Sequence, residues 1–187
     1  MVISERSTIT PIAHIGIARS GNFYVPMDPS NPMFRMKQII NIIEANILLV
    51  DKNSFGIIES LDFQGEVYIL EDLINKEYDE KLVSTIEDKM VSSMPLYVIF
   101  TSGSTGVPKG VTTSHESLMC YIDDVTDVLQ LTDKDILASQ SPMDYIAAVR
   151  DIFIPLKTGA TTCIIPNNEF AIPDKLLNSL NNNKITT

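Results

Sequence analysis

The sequence predicts an α/β fold with a largely parallel sheet and flanking helices. Two observations carry this. Compact apolar runs of strand length recur along the chain, among them Ile47-Leu48-Leu49-Val50, Val67-Tyr68-Ile69-Leu70 and Leu96-Tyr97-Val98-Ile99-Phe100. Between such runs lie stretches with apolar residues at helical spacing, clearest at Met36, Ile39, Ile40 and Ile43. No internal repeat competes with this alternation. The 187 residues are enough for one domain with a real core.

Taken in order, Thr10-Pro11 reads as a helix start, a hydroxyl cap followed by proline at a position that needs no N–H, with Gly21 as terminator. Phe23-Tyr24-Val25 reads as a short strand stopped by Pro26. Met27-Asp28-Pro29-Ser30 is turn-rich, and Asn31-Pro32 repeats the cap-plus-proline device before a helix to about Glu44. Strands follow at 47–50 and 67–70, with a less regular helix at 54–61 between them. Residues 75–93 are charged with little periodicity and read as a surface connection, partly helical. After the strand at 96–100, Gly110-Val111-Thr112-Thr113 reads as a return strand, and Ser114 caps a helix to about Leu129. A strand at 136–139 follows. The helix at 145–157 ends at Gly159, with Pro155 expected to kink or shorten it. A strand at 161–165, a helix at 173–180 and a strand beginning at 184 complete the chain.

Composition narrows the function. With 14 Lys and Arg against 24 Asp and Glu, the net charge is -10. That acidity argues against nucleic acid or an anionic membrane as a partner, since both demand a basic face. It leaves room for a nucleotide, which needs only a local cluster of donors. Cys120 and Cys163 lie in apolar stretches and read as buried small hydrophobes in a reducing compartment. No run approaches the length of a membrane span, and Met1-Val2-Ile3-Ser4-Glu5-Arg6 lacks the features of a signal peptide, so the protein reads as cytoplasmic. His14 reads as structural, and a packed His115 is favoured over one near substrate.

The chemistry concentrates in Thr101-Ser102-Gly103-Ser104-Thr105-Gly106-Val107-Pro108-Lys109-Gly110, directly after a core strand. Phosphate oxygens need many donors converging on one point. Gly103 and Gly106 let backbone N–H groups approach an anion closely. Thr101, Ser102, Ser104 and Thr105 add hydroxyls, and Lys109 adds a charge worth roughly 4 kcal/mol against a phosphate about 4 Å away in a partly screened site. The common P-loop spacing, GxxxxGK[ST], is absent, so this is a different phosphate loop.

The same residues resemble the signature phosphate loop of the adenylate-forming family: acyl- and aryl-CoA synthetases, luciferases and adenylation domains of nonribosomal peptide synthetases. The segment FYVPMDPSNPMFRM at 23–36 is similar to one typical of the peptide-synthetase domains, and DIFIPLKTGATTCII at 151–165 to the stretch after the family's Phe-Asp-x-Ser motif. The resemblance covers nearly all of residues 1–187. It implies a partial adenylation domain, cut at both ends, belonging to the large N-terminal domain of that fold. It also implies that the lysine driving adenylation lies outside the chain, so the 187 residues alone are expected to be inactive.

What the resemblance implies for the site follows residue by residue. Thr101, Ser102, Gly103, Ser104, Thr105, Gly106 and Lys109 would embrace the β- and γ-phosphates of ATP, Lys109 neutralising charge and Thr101 also standing on the Mg²⁺ side. The parent would activate a carboxylic acid as acyl-adenylate, release pyrophosphate, and pass the acyl group to phosphopantetheine on a carrier-protein domain in cis or trans. The alternatives are an acyl- or aryl-CoA ligase using CoA, and a non-catalytic nucleotide-binding remnant. On the acid side, alignment on Gly159 puts Tyr145, Ile146 and Ala148 on the Phe, Asp and Ser of Phe-Asp-x-Ser. Where the family's aspartate binds an α-ammonium, Ile146 cannot, and Asp144 substitutes only if the chain shifts locally. A β-amino acid, an amine-free acid and a degenerate copy stay open.

Overall fold

The computed structural model describes residues 1–103 and 106–187. It falls into two compact units, Met1–His115 and Glu116–Thr187. In the first, strands β1 (Val2–Ile3), β2 (Pro26–Met27), β3 (Ile47–Val50) and β4 (Glu66–Ile69) form a parallel sheet in the order β2-β1-β3-β4. Helices α1 (Ile9–Arg19), α2 (Met33–Ile43), α3 (Ile57–Leu61), α4 (Leu70–Leu73) and α5 (Glu80–Glu87) fall between and after these strands. The core joins Ile3, Val25, Met27, Leu48 and Val50 to the predicted stripe of α2, where Met36, Ile39 and Ile40 are buried and Ile43 is partly so.

Several boundaries differ from the sequence expectation, each for a local reason. Thr10 does not cap α1. It lies inside the helix, buried, and its hydroxyl donates to the Glu5 carbonyl at 2.9 Å. Pro26 does not stop a strand but opens β2: the bonds donated along β1 run to the Val25 and Met27 carbonyls, so that pairing needs no N–H from residue 26. Tyr24 instead makes an isolated parallel bridge to Tyr97. Pro32, not Asn31, is the N-cap of α2. The charged stretch at 75–93 contains α5, whose N-cap Asp79 accepts from the Lys81 and Leu82 N–H groups.

Strand β5 (Pro95–Ser102) pairs with β6 (Pro108–Ser114), and the pairing is antiparallel: a hairpin beside an otherwise parallel arrangement. Leu96, Tyr97, Val98 and Ile99 are buried.

The second unit contains most of α6 (His115–Leu129), then β7 (Ile136–Ser139), α7 (Ile146–Thr158), β8 (Thr161–Ile164), α8 (Asn167–Phe170) and α9 (Pro173–Asn182). Strands β7 and β8 are parallel. The predicted strand at 184 is not formed as one, but Thr186 N donates to the Ile136 carbonyl and Ala138 N to the Thr187 carbonyl, each at 2.9 Å along β7. The short α8 has no counterpart in the sequence expectation, and Cys120, expected to be buried, lies exposed on α6, while Cys163 on β8 is half-buried.

Pro155 does not end α7, which continues to Thr158 and a left-handed Gly159. Proline at 155 has no N–H for the Asp151 carbonyl four residues back. The Thr162 hydroxyl on β8 supplies the missing donor at 2.7 Å. Thr162→Val keeps the shape and removes that donor, and should cost about 1–2 kcal/mol in urea unfolding of the full chain. An unchanged midpoint would mean that the Asp151 carbonyl does not depend on this hydroxyl.

Candidate functional site

The loop between β5 and β6 is positioned by the hairpin register. Thr101 stands opposite Lys109 and Ser102 opposite Pro108. The Thr101 hydroxyl lies 3.4 Å from the Lys109 carbonyl, and Gly106 N donates to the Gly103 carbonyl at 3.0 Å. Both arms therefore deliver their side chains to one end of a stiff two-stranded ribbon. Ser104 and Thr105, assigned to the nucleotide by the sequence reading, lie outside the described residues.

Two glycines have separate reasons to be there. A Cβ on Gly103 would sit 2.3 Å from the Val107 carbonyl oxygen and 3.3 Å from Lys109 Cγ, so the two arms approach closely only because that atom is missing. Gly106 has open space around it but adopts φ +80°, a left-handed conformation that side chains disfavour. Thr101, Ser102, Gly106 and Lys109 are exposed, whereas Pro108 between them is buried and anchors the return arm. Among the described residues no carboxylate forms an ion pair with Lys109. Its charge is thus available to an anion at the hairpin end. Exposed hydroxyls, a close glycine contact and an uncompensated lysine together suit phosphate oxygens. They suit a metal ion poorly on their own: among the described residues, no group of three or more His, Cys, Asp or Glu is placed to hold one.

The acid-side candidates lie together at the start of α7, in the second unit. Tyr145 is its N-cap residue and is 59% exposed, and Ile146 is 53% exposed. Asp144 is half-buried just before them. Farther along the helix Asp151 is only 2% exposed. Burial pushes its carboxyl above the usual range, opposed by the neighbouring Arg150, whose Nε donates to it at 3.1 Å. His115 has a half-buried ring, and burial lowers its pKa.

The model of the AMP-binding enzyme family matches residues 1–187. The chain belongs to this family. Among curated AMP-binding relatives, bacitracin synthase 1 of Bacillus licheniformis is 28% identical over 185 residues, covering 99% of this chain and 3% of its own length. Zwittermicin A synthase ZmaJ of Bacillus cereus is 26% identical, with 99% of this chain and 34% of the relative covered. The chain thus spans a small part of the relatives it matches. Among solved structures, the nonribosomal peptide synthetase FmoA3 in its alpha-methyl-L-serine-AMP bound form superposes with a TM-score of 0.83 at 25% identity, over 99% of this chain and 20% of that one. VinN in complex with L-aspartate shares the fold with a TM-score of 0.79 at 20% identity, over 99% of this chain and 46% of that one. The AMP-binding fold therefore accounts for both units described above.

Two features of this AMP-binding chain were not visible in the sequence. Arg35 Nη2 donates to the Phe100 carbonyl at 3.0 Å, across 65 residues. His14 stacks on Tyr24 with ring centroids 4.2 Å apart and planes 7° from parallel. Arg35 carried one available signal, its place at the end of the 23–36 segment; His14 carried none.

Proposed function

We propose that this chain provides the phosphate-holding part of an adenylation site. In this reading Thr101, Ser102, Gly103, Ser104, Thr105, Gly106 and Lys109 bind the β- and γ-phosphates of ATP. An oxygen of the substrate carboxylate attacks the α-phosphorus, the bond from that phosphorus to the pyrophosphate oxygen breaks, and the loop holds the departing pyrophosphate. Its work is positioning and charge neutralisation. The observation that carries the reading is the hairpin end itself, where exposed hydroxyls and a Lys109 with no ion pair among the described residues stand around a glycine that tolerates no Cβ.

Mg²⁺ would accompany the nucleotide and neutralise phosphate charge, with Thr101 on its side and its carboxylate ligand supplied from outside this loop. The product is an acyl-adenylate whose acyl group passes to phosphopantetheine on a carrier-protein domain. A relative and a solved structure whose names are nonribosomal peptide synthetases support that acceptor over free CoA. Asp144, Tyr145 and Ile146 are proposed as contributors to acid recognition. Ile146 offers no charge for an ammonium, which disfavours an ordinary α-amino acid.

Titration of the full chain with Mg·ATP tests the phosphate site. Binding is expected, and Lys109→Ala should weaken it about tenfold, the modest size reflecting an exposed charge screened by salt. The melting curve should not move, because Lys109 makes no ion pair among the described residues. A wild-type chain that takes up no Mg·ATP, or a Lys109→Ala variant that binds it equally well, would remove the basis of the proposal.

A further inference from the structure

The segment at 23–36 was singled out by its sequence, yet the nucleotide site as described makes no use of it. The structure gives it a connection to that site. Along the edge of β5 that faces away from β6, Tyr24 N donates to the Leu96 carbonyl and Val98 N donates to the Tyr24 carbonyl, both at 3.0 Å. Continuing this parallel ladder would next require an N–H from residue 26. Residue 26 is proline and has none. Beyond that point, two residues past Val98, the Phe100 carbonyl takes its hydrogen bond from the Arg35 guanidinium at 3.0 Å. A charged side chain therefore stands where a neighbouring strand would have donated, at the last residue before Thr101.

The placement of Arg35 is not one its own helix favours. It is the third residue of α2, where the positive end of the helix dipole disfavours a cation, and no acidic residue in that first turn offsets it. No carboxylate among the described residues pairs with it. The approach to α2 is itself held. Asp28 Oδ1 accepts from Ser30 N at 2.8 Å, and the Asp28 carbonyl accepts from Asn31 N at 3.0 Å, which sets the turn from which the helix and its arginine start.

We propose that Arg35 is a positioning residue for nucleotide: by holding the Phe100 carbonyl it fixes the end of β5 from which Thr101, Ser102 and Gly103 project. The inference rests on the phosphate role assigned above to that hairpin end. Charge-assisted hydrogen bonds of this kind are the stronger class, and the planar guanidinium presents its donors in a fixed geometry.

The test uses the full chain with Arg35→Met, which keeps length and removes every donor, and Arg35→Lys, which restores one. Without ligand, Arg35→Met should speed hydrogen exchange about tenfold in the amides of residues 99–103, 106, 107, 109 and 110, leaving β1 and β3 as they were. Its affinity for Mg·ATP should fall about tenfold. Arg35→Lys should recover most of both losses. Faster exchange spread equally over β1 and β3 would show a general loss of stability and overturn the assignment. So would an Arg35→Met chain that binds Mg·ATP as wild type does. If wild type itself takes up no Mg·ATP, the function proposed above fails on its own, and the exchange pattern still decides the matter: acceleration confined to the hairpin end supports Arg35 as its anchor, and none overturns it.

Discussion

Gly103→Ala is expected to reduce Mg·ATP affinity at least about a hundredfold and to lower stability by about 1–3 kcal/mol. The added methyl would lie 2.3 Å from the Val107 carbonyl oxygen, a separation that cannot stand. Relief cannot come from rotating a flexible side chain, because the obstructing atom is backbone. The two arms must part instead. They are registered residue by residue from Phe100 opposite Gly110 to Ser102 opposite Pro108, so parting them separates Thr101 and Ser102 from Lys109. Gly106→Ala is the internal control. No atom lies within 4 Å of its would-be Cβ, and the cost there is only that of a φ of +80°. It should lower stability by about 1 kcal/mol with a far smaller effect on binding. Calorimetric titration and urea unfolding of both variants separate the explanations. Equal losses of affinity would mean that glycine's backbone freedom, not the contact with Val107, is what the loop requires.

The elements that declared themselves in the sequence were those whose local pattern and tertiary role agree. Ile47-Leu48-Leu49-Val50 is apolar enough to be a strand in almost any context, and it is β3. The run of hydroxyls, glycines and a lysine after Phe100 stands out because packing alone would not place so many hydroxyls and a lysine, exposed at Thr101, Ser102 and Lys109, directly after a core strand. The return strand was also legible, since only a short loop separates it from β5. What the sequence concealed was decided by groups far apart along the chain. Pro155 reads as a helix breaker until Thr162 is seen to satisfy the carbonyl it leaves open. Pro26 reads as a strand stop until the bonds donated along β1 are seen to reach the Val25 and Met27 carbonyls, which asks no N–H of residue 26. Arg35 reads as one more polar residue on a helix until Phe100 is found beside it. In each case local propensity was outweighed by one specific donor, acceptor or position in the sheet.

The interior of the first unit should lose stability on mild acidification, and His14 should account for most of that loss. Its ring is 0% exposed, stacked on Tyr24, and among the described residues neither nitrogen has a hydrogen-bond partner. Burial lowers its pKa to about 3, so the folded chain keeps it neutral across the range in which an unfolded histidine, at 6.5, takes up a proton. Below pH 6.5 the unfolded state therefore binds more protons than the folded state, and the unfolding free energy must fall as pH falls. Carried from 6.5 down to about 3, that difference amounts to roughly 5 kcal/mol, with about 2 kcal/mol already lost at pH 5.

Other groups are separable. Glu87 and Asp135 have lowered pKa values, the first from its hydrogen bond with Arg19 and the second from bonds with Thr132 and Thr186, so their contributions fade only below their ordinary values of 4.5 and 3.8. His115 acts with the same sign as His14 but is only half-buried. Asp151 acts with the opposite sign, since a raised carboxyl favours the folded state at low pH and the benefit fades as pH rises through its folded value. The comparison that isolates His14 is wild type against His14→Leu, an apolar side chain of similar size. At pH 7 the variant should be at least as stable, because it no longer buries two unpartnered nitrogens. Between pH 6.5 and 4.5 wild type should lose stability steeply and the variant only slightly, through the Met1 amino group, whose pKa burial lowers from 8.0 to about 6 and whose effect is complete near that pH. Parallel curves across that interval would mean that His14 finds a proton-binding partner in the folded chain, and that the stack on Tyr24 is not the dry apolar contact its burial implies.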